Sequence, residues 1–401
     1  MDKYQYVKDF EKKGFGMFVH FGLYSKFGMG EWYYYLNPKA KKDKYFDTFK
    51  KFTVSKNWAK SIVKTAKSAG CKYITITTRH HEGFSLYDTK GLNEYDAPHS
   101  PCGRDLIKEF VDECNKNGIT PFFYHTLLDW HHPDYYTNFP AYIDYLIKSV
   151  EILCTNYGKI GGLWFDGIWD GAHINDDWQE DRLYATIRKY QPECIIMNNT
   201  GLQRLGEIGH PQIDSVTFER GHTFPTDTTG RYRTGEMSQV LNDHWGVAMP
   251  DINYKSVTSL IENLVECRMN KCNFNLNIGP MPNGEVRLID RGIFELIGIW
   301  VKKNKNFIYD VHGGKEISKD CLLLEAGEQR YLYIKEVQMS SDTNVAYGAN
   351  DRYVDLPAEL GIKKGVWLDD NSKAEIKKGK LKVKPFGYGT SLTGRVLKIK
   401  D

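Results

Sequence analysis

The chain has 401 residues, 41% of them hydrophobic and 26% charged, which is the balance of an ordinary globular protein with a sizeable core. Its 54 lysines and arginines against 51 aspartates and glutamates leave a formal net charge of +3, so the sequence predicts no nucleic-acid partner. No run of 18 apolar residues occurs, and we predict no membrane partner either.

Export and disulfide bonding are both unsupported by the sequence. The first segment, MDKYQYVKDFEKKGFGMFVHF, lacks the apolar core and small-residue cleavage site of a signal peptide. The eight cysteines are scattered and form no C-x-x-C pair, which favours reduced thiols. We therefore expect a cytoplasmic protein, although removal of an export signal from a secreted or periplasmic protein would leave the same pattern.

Short apolar strands alternate with amphipathic helices through the first three-quarters of the chain. The predicted strands cover 16–25, 72–81, 119–130, 161–167, 194–199, 214–220, a weak segment around 245–249, and 272–280. The predicted helices cover 57–69, 104–117, 140–156, 177–190, 255–270 and 286–304. This order predicts an α/β protein with a (β/α)8-like TIM barrel. A doubly wound sheet is less favoured because no G-x-G-x-x-G turn follows the first strand.

The pattern of apolar and polar residues in the sequence changes near residue 310. Segments such as RYLYIKEV, KLKVKPFGYG and GRVLKIKD are short, alternate apolar with polar residues, and are separated by turn residues. We predict a small C-terminal antiparallel β-sandwich here. The predicted domains are a barrel, 1–308, and a β-sandwich, 309–401.

Polar side chains lie at the carboxyl ends of nearly all the predicted barrel strands. They are His20, His80, His81, Tyr124, His125, Asp166, Asn198, Asn199 and Glu219. In a barrel of this kind the carboxyl ends of the strands form the active site. The pattern therefore predicts a cavity that can hydrogen-bond a polyol or transfer a proton.

A zinc site is one alternative interpretation of these histidines. His80 and His81 are adjacent, however, so their side chains should point to opposite faces of a strand unless the strand bends there. The sequence contains no H-x-H or H-E-x-x-H motif, and no G-x-S-x-G elbow for serine chemistry. We predict no metal and no cofactor.

Two carboxylates remain at the predicted mouth, Asp166 and Glu219. Asp166 ends the apolar segment GGLWFD, where a carboxylate is costly to bury unless it is paired or used in chemistry. Two carboxyl groups facing each other about 5–5.5 Å apart are the minimal equipment for cleaving a glycosidic bond with retention. The two residues therefore favour a glycosidase.

Eight segments together resemble the family 29 glycoside hydrolases, the α-L-fucosidases, from about residue 10 to 300. They are GMFVHFGLYS, GEWYYYLN, CKYITITTRHHEGFSLYDT, FFYHTLLDWHHPDYY, GGLWFDG, SVTFERG, LNDHWGV and CNFNLNIGPMPNGEV. The resemblance implies an exo-acting retaining α-L-fucosidase that forms a covalent fucosyl-enzyme intermediate. Its substrate would be a fucosylated oligosaccharide or glycoside, and its fold a barrel followed by a β-sandwich.

The resemblance also implies roles for individual residues. Asp166 matches the nucleophile and Glu219 the acid/base, with Glu236 as the alternative acid/base. The positions that match substrate-binding residues are His20, Glu31, Trp32, His80, His81, Tyr124 and Trp164. The family often has an arginine after the fifth strand, for which Asn199 or Arg204 would substitute here.

The sequence leaves three questions open: the activity, the residues that would contact a methyl group, and the oligomeric state. The fold could instead carry a catalytically silent fucose- or glycan-binding protein, or a retaining glycosidase for a related sugar. The apolar wall for the methyl group of a deoxy sugar could come from Phe18, Phe21 or Phe274. A homo-oligomer is compatible with the sequence, which does not fix the oligomeric state.

Overall fold

The amino-terminal three-quarters of the chain form a barrel of parallel strands. The computed structural model describes residues 2–39, 44–221, 223–226, 228–346 and 348–400. The barrel strands are β1 Phe15–Val19, β2 Tyr73–Arg79, β3 Thr120–Thr126, β4 Gly162–Asp166, β5 Ile195–Asn198, β6 Ser215–Glu219, β7 Thr234–Val240 and β8 Cys272–Ile278. They pair in the order β5-β4-β3-β2-β1-β8-β7-β6. The predicted (β/α)8-like barrel is confirmed.

The strands are buried on both faces, as parallel strands covered by helices must be. All seven residues of β2, YITITTR, are buried, and Val19 of β1 pairs with Ile76 on one side and Ile278 on the other. The β-branched and aromatic residues that fill these strands suit a pleated, two-sided core. This core fixes the strand ends from which the polar side chains project.

The six predicted helices begin and end near their predicted limits, and four short helices that the sequence did not predict accompany them. Together they are Gln5–Glu11, Tyr33–Leu36, Trp58–Ala69, Leu106–Lys116, Pro133–Thr137, Phe139–Asn156, Glu180–Tyr190, Val257–Met269, Leu288–Lys303 and Phe307–Asp310, with 3-10 turns at Leu23–Lys26 and Tyr45–Lys51. Asp105 caps one helix by accepting a hydrogen bond from the backbone nitrogen of Lys108 at 2.9 Å. Gly70 ends another at φ +94, a conformation that glycine adopts without strain.

The prediction of the seventh strand around 245–249 is wrong. The seventh strand is Thr234–Val240, which pairs with both β6 and β8. Its sequence, TGEMSQV, lacks the apolar pattern of a buried strand because it contains a glutamate. The side chain of that residue, Glu236, points into the barrel interior. That carboxyl is satisfied there by Tyr73 and Asn275 at 2.6 and 3.0 Å. The segment around 245–249 is a loop above the barrel.

The barrel has a seam between β5 and β6, the two edges of the sheet. Asp214 links the two edges by hydrogen bonds. Its backbone nitrogen donates to the backbone oxygen of Ile196 at 3.0 Å, and its side chain accepts from the Ile196 backbone nitrogen at 2.9 Å. The fully buried carboxylate also forms ion pairs with Arg188 and Arg231. A polar network thus replaces a regular ladder at this point.

The last 90 or so residues form two antiparallel sheets packed face to face, as predicted. The strands are β9 Gly314–Ser318, β10 Cys321–Ala326, β11 Gln329–Ile334, β12 Arg352–Asp355, β13 Lys364–Trp367, β14 Glu375–Lys377, β15 Lys380–Val383 and β16 Arg395–Lys400. One sheet has the order β13-β16-β11-β10-β9 and the other β12-β15-β14. The exact domain boundary, 308/309, stays a prediction.

The sandwich packs against barrel helices. The indole nitrogen of Trp300 donates to the carbonyl oxygen of Gly394 at 3.1 Å, and Lys335 pairs with Glu266 at 2.6 Å. Within the described residues, no helix is long and apolar enough to cross a membrane.

Candidate active site

A cavity of about 540 Å³ opens at the carboxyl ends of the barrel strands. Nine of the residues that line it are the sequence-predicted site residues His20, Glu31, Trp32, His80, His81, Tyr124, Trp164, Asp166 and Glu219. The structure therefore brings together residues spread over 200 positions of the chain. All its lining residues come from the barrel, so the sandwich lies outside the cavity.

Asp166 lines this cavity, and both of its carboxylate oxygens accept hydrogen bonds. Oδ2 accepts from the Tyr124 hydroxyl at 2.9 Å, with His81 Nε2 3.5 Å away. Oδ1 accepts from the indole nitrogen of Trp169 at 3.0 Å and from the Asn199 amide at 3.1 Å. These donors fix the orientation of the carboxylate and favour its charged form.

Asn199 bridges the two predicted catalytic carboxyl groups. Its Nδ2 atom donates to Asp166 Oδ1 at 3.1 Å and to Glu219 Oε1 at 2.7 Å, so these two oxygens are at most 5.8 Å apart, the sum of the two bond lengths. The side-chain oxygen of Asn199, Oδ1, accepts hydrogen bonds from the Gly201 backbone nitrogen and the Thr217 hydroxyl. Because both of its ends are bonded, the side chain is a fixed spacer between the acids.

The environment separates the acid strengths of the two carboxyl groups. Burial and the adjacent Asp166 charge raise the pKa of Glu219 to about 7, while the bond from Asn199 opposes the shift. Burial also raises the pKa of Asp166, but the bonds from Tyr124, Trp169 and Asn199 oppose this. Of the two, Glu219 is the group poised to hold a proton near neutral pH.

Glu236, the alternative acid/base, lies deeper in the barrel. In the pairing of β6 with β7, Glu236 is level with Thr217, whereas Glu219 is level with Ser238, two residues further toward the mouth. Burial raises the pKa of Glu236 to about 7, and its side chain is fully buried and does not line the cavity. The geometry thus favours Glu219 for contact with a bound sugar.

The expectation that His80 and His81 point to opposite faces is wrong. Strand β2 ends at Arg79, so the alternation stops there, and both imidazole rings line the cavity with centroids 4.1 Å apart. Arg79 instead points away from the cavity, toward the Tyr145 hydroxyl at 2.7 Å. Among the described residues, no group of three or more His, Cys, Asp or Glu side chains is arranged to hold a metal ion.

Neutral histidines and one carboxylate supply further hydrogen-bonding groups. Burial, with the neighbouring His80, lowers the pKa of both His20 and His81 well below the ordinary value, which favours their neutral forms. His20 Nδ1 is 2.7 Å from the Asn277 side-chain oxygen. Glu31 accepts hydrogen bonds from the backbone nitrogens of residues 245 and 246 at 3.1 and 2.8 Å.

Aromatic rings form the floor of the cavity. Phe18 packs edge-on against Trp164 at 5.3 Å, and Tyr124 stacks on Trp164 at 5.5 Å. Phe10, Tyr73 and Phe122 fill the barrel below them, so the cavity is closed at the bottom. Of the three phenylalanines considered for an apolar wall, only Phe18 lines the cavity, because Phe21 and Phe274 pack in the core.

Several lining residues lie in loops that sequence patterns did not single out. They are Trp169, Ile174, residues 200–203, Arg220 and Trp245. Trp169 could have been suspected from its position three residues after Asp166, but no periodicity marks loop residues. The segment Asp129–His132 lies outside the cavity, where Asp129 accepts from the backbone nitrogens of His131 and His132, both at 2.9 Å.

A parallel barrel that presents two closely spaced carboxyl groups to a sugar-sized cavity is the arrangement of a glycoside hydrolase. Comparison with known proteins identifies the family of glycoside hydrolases to which the chain belongs. A sequence model of the α-L-fucosidase family matches residues 1–306, and the chain belongs to that family. The family resemblance of the sequence is thereby confirmed.

Individual relatives agree with this assignment. Human plasma α-L-fucosidase is 25% identical over 344 residues, covering 78% of this chain and 71% of its own. Isoenzyme 1 of the α-L-fucosidase from Paenibacillus thiaminolyticus is 28% identical, with a TM-score of 0.84 and full coverage of both chains. An α-L-fucosidase of Bacteroides thetaiotaomicron, solved as a trapped covalent intermediate, is 21% identical with a TM-score of 0.80, covering 100% of this chain and 96% of its own. At that identity, the last comparison supports the fold alone.

Proposed function

We propose that this protein removes terminal α-L-fucosyl residues from glycans or glycosides with retention of configuration, using Asp166 as nucleophile and Glu219 as acid/base. The observation that carries the proposal is the Asn199 bridge, which limits the separation of the facing oxygens to 5.8 Å. Retaining glycosidases hold their carboxyl groups roughly 5–5.5 Å apart, whereas inverting enzymes need about 6.5–9.5 Å to admit a water.

In the first step, the Asp166 carboxylate attacks C1 of the fucosyl group while the bond from C1 to the leaving oxygen breaks. Glu219 gives its proton to that oxygen. A pKa of about 7 keeps a substantial part of Glu219 protonated at neutral pH. Asp166 is oriented for this attack by hydrogen bonds to both of its oxygens.

In the second step, Glu219 is a carboxylate and acts as a base. It takes a proton from water, whose oxygen attacks C1 as the bond to Asp166 breaks, and fucose leaves as the α-anomer. The group that donated the proton in the first step thus regains it in the second. An α-L-fucosidase of Bacteroides thetaiotaomicron with the same fold has itself been trapped as a covalent intermediate.

The cavity fits a terminal sugar that enters from the mouth. Among the described residues, aromatic side chains close the cavity at its floor. Polar groups on the walls, such as His20, His80 and Glu31, can bond sugar hydroxyls, and the Phe18 ring offers an apolar surface to a methyl group. A single terminal deoxy sugar has hydroxyl groups for the polar walls and a methyl group for the Phe18 ring.

The test is the Asp166→Gly variant with an aryl α-L-fucoside. Loss of the nucleophile should lower kcat by about 10³-fold or more, because no covalent intermediate can form. Azide should restore turnover and give β-L-fucosyl azide, since a single displacement inverts the anomeric carbon. NMR of the first product released by the wild-type protein should show α-L-fucose.

Asp170→Asn is a matched control. Asp170 lies on the same loop and accepts from the Tyr135 hydroxyl at 2.6 Å, but it does not line the cavity. We expect a far smaller loss of kcat than in Asp166→Gly. An Asp166→Gly variant with wild-type kcat, or β-L-fucose as the first wild-type product, would refute the proposed mechanism.

A further inference from the structure

Arg220, the residue directly after Glu219, has an unusual backbone conformation at the cavity mouth. Its φ is +59, in the left-handed region that residues with a Cβ rarely adopt. Such conformations concentrate at functional sites, where the surrounding structure holds them. Here the Arg220 backbone nitrogen donates to the Ser238 oxygen at 2.9 Å, which continues the pairing of β6 with β7.

The Arg220 side chain is exposed and lines the cavity beside Trp245. Its guanidinium carbon lies 5.6 Å from the centre of the Trp245 ring, and Nη2 is 3.5 Å from the Asp243 carbonyl oxygen. Within the described residues it has no carboxylate partner. A guanidinium carries five N–H donors, and only the contact to Asp243 is formed among the described residues.

Arg204, the other arginine that lines the cavity, differs in this respect. Its Nε and Nη2 atoms lie 2.8 and 2.6 Å from the Glu207 carboxylate, so its charge is paired within the protein. Among the described residues, Arg220 is therefore the cavity arginine without a carboxylate partner.

We propose that Arg220 determines aglycone specificity by donating hydrogen bonds to hydroxyl groups of the first sugar on the leaving side, with the Trp245 ring supporting the guanidinium. This inference rests on the proposed function. The acid/base must touch the glycosidic oxygen, so the aglycone begins within contact of Glu219. The residue next to Glu219 in the chain, on the same wall of the cavity, is then within reach of that sugar.

A second effect of Arg220 must be separated from the first. The Arg220 charge lowers the pKa of Glu219, opposing the effects of burial and of Asp166. Removing the arginine would therefore also alter proton donation to any poor leaving group. Methyl α-L-fucoside separates the two effects, because its leaving group needs a proton but carries no sugar hydroxyls.

The experiment compares the wild-type protein with Arg220→Gly on methyl α-L-fucoside and on the fucosyl disaccharide that the wild type cleaves fastest in a linkage panel. Glycine accepts φ +59 without strain, so the variant should fold, with an unchanged or higher Tm. We expect kcat/KM for the disaccharide to fall about tenfold more than for the methyl fucoside, largely through KM. Arg220→Lys, which keeps the charge but not the planar fork, should recover only part of this loss.

Arg182→Ala is the matched control, because Arg182 is half-exposed on the helix Glu180–Tyr190 and pairs with Asp144 away from the cavity. It should not change the ratio of the two kcat/KM values. An equal loss on both substrates in Arg220→Gly, or no loss on either, would overturn this inference alone. Failure of the wild-type protein to hydrolyse any fucoside would overturn the proposed function and this inference with it.

Discussion

The side-chain amide of Asn199 donates a hydrogen bond to Glu219 at 2.7 Å, and this bond keeps the pKa of Glu219 below the value that burial and Asp166 alone would give. The same nitrogen bonds Asp166. Asn199 therefore controls the acid strength of both proposed catalytic groups as well as their spacing.

Replacing Asn199 by leucine should move the pH profile of kcat/KM upward. A hydrogen bond to a carboxylate favours its charged form, so losing the bond raises the pKa of both acids. The alkaline limb, which reports loss of the Glu219 proton near pH 7, should shift to higher pH, and the acid limb set by Asp166 should shift the same way. A profile measured from pH 4 to 9 that keeps both limbs in place would contradict this role.

Trp169→Phe should affect mainly the acid limb. The variant keeps an aromatic ring but loses the N–H that donates to Asp166 Oδ1 at 3.0 Å. Because that bond lowers the pKa of Asp166, its removal should raise that pKa and cut activity below neutral pH. Loss of one bond to a charged group predicts a fall in kcat/KM of about tenfold or more at pH 5. An unmoved acid limb with a shifted alkaline limb would show that Trp169 acts elsewhere.

Glu236 should make the protein less stable as pH rises. Its pKa is about 7 in the folded protein against 4.5 for the free side chain, so the folded state binds more protons between these values. The contribution of Glu236 to the free energy of unfolding must then fall as pH rises from 4.5 to 7. Glu236→Gln removes this titration, and its Tm should decline less steeply over that window, whatever its absolute stability. Parallel Tm curves for the two proteins would exclude the effect.

Asp214→Asn should destabilise the barrel strongly. The carboxylate is fully buried and pairs with Arg188 and Arg231 at the seam between β5 and β6. Breaking such a pair leaves buried charge uncompensated, at a cost of about 3–5 kcal/mol. We expect a Tm lower by several degrees. As a control, Asp181→Asn removes an exposed partner of His210 and should barely change the Tm.

The barrel and most of its site residues were predictable from local sequence. Strands such as GGLWFD are apolar because both faces are buried, and the polar residue that ends each one stands out against that background. The seventh strand was not predictable, because polar residues interrupt the apolar pattern of its sequence, TGEMSQV. Glu236 interrupts the apolar pattern of that strand, and its partner Tyr73 comes from a strand far away in the chain.

What the sequence by itself determined was the parallel barrel, the β-sandwich and the set of polar groups at the strand ends, since each is encoded in short-range alternation of side chains. Only the tertiary structure decided which acid faces Asp166. Glu219 and Glu236 both lie on neighbouring strands, but the register of β6 against β7 puts one at the mouth and the other two residues deeper. The Asn199 bridge and the contact of Arg220 with Trp245 likewise depend on where segments distant in the chain meet, and no local pattern of residues encodes that meeting.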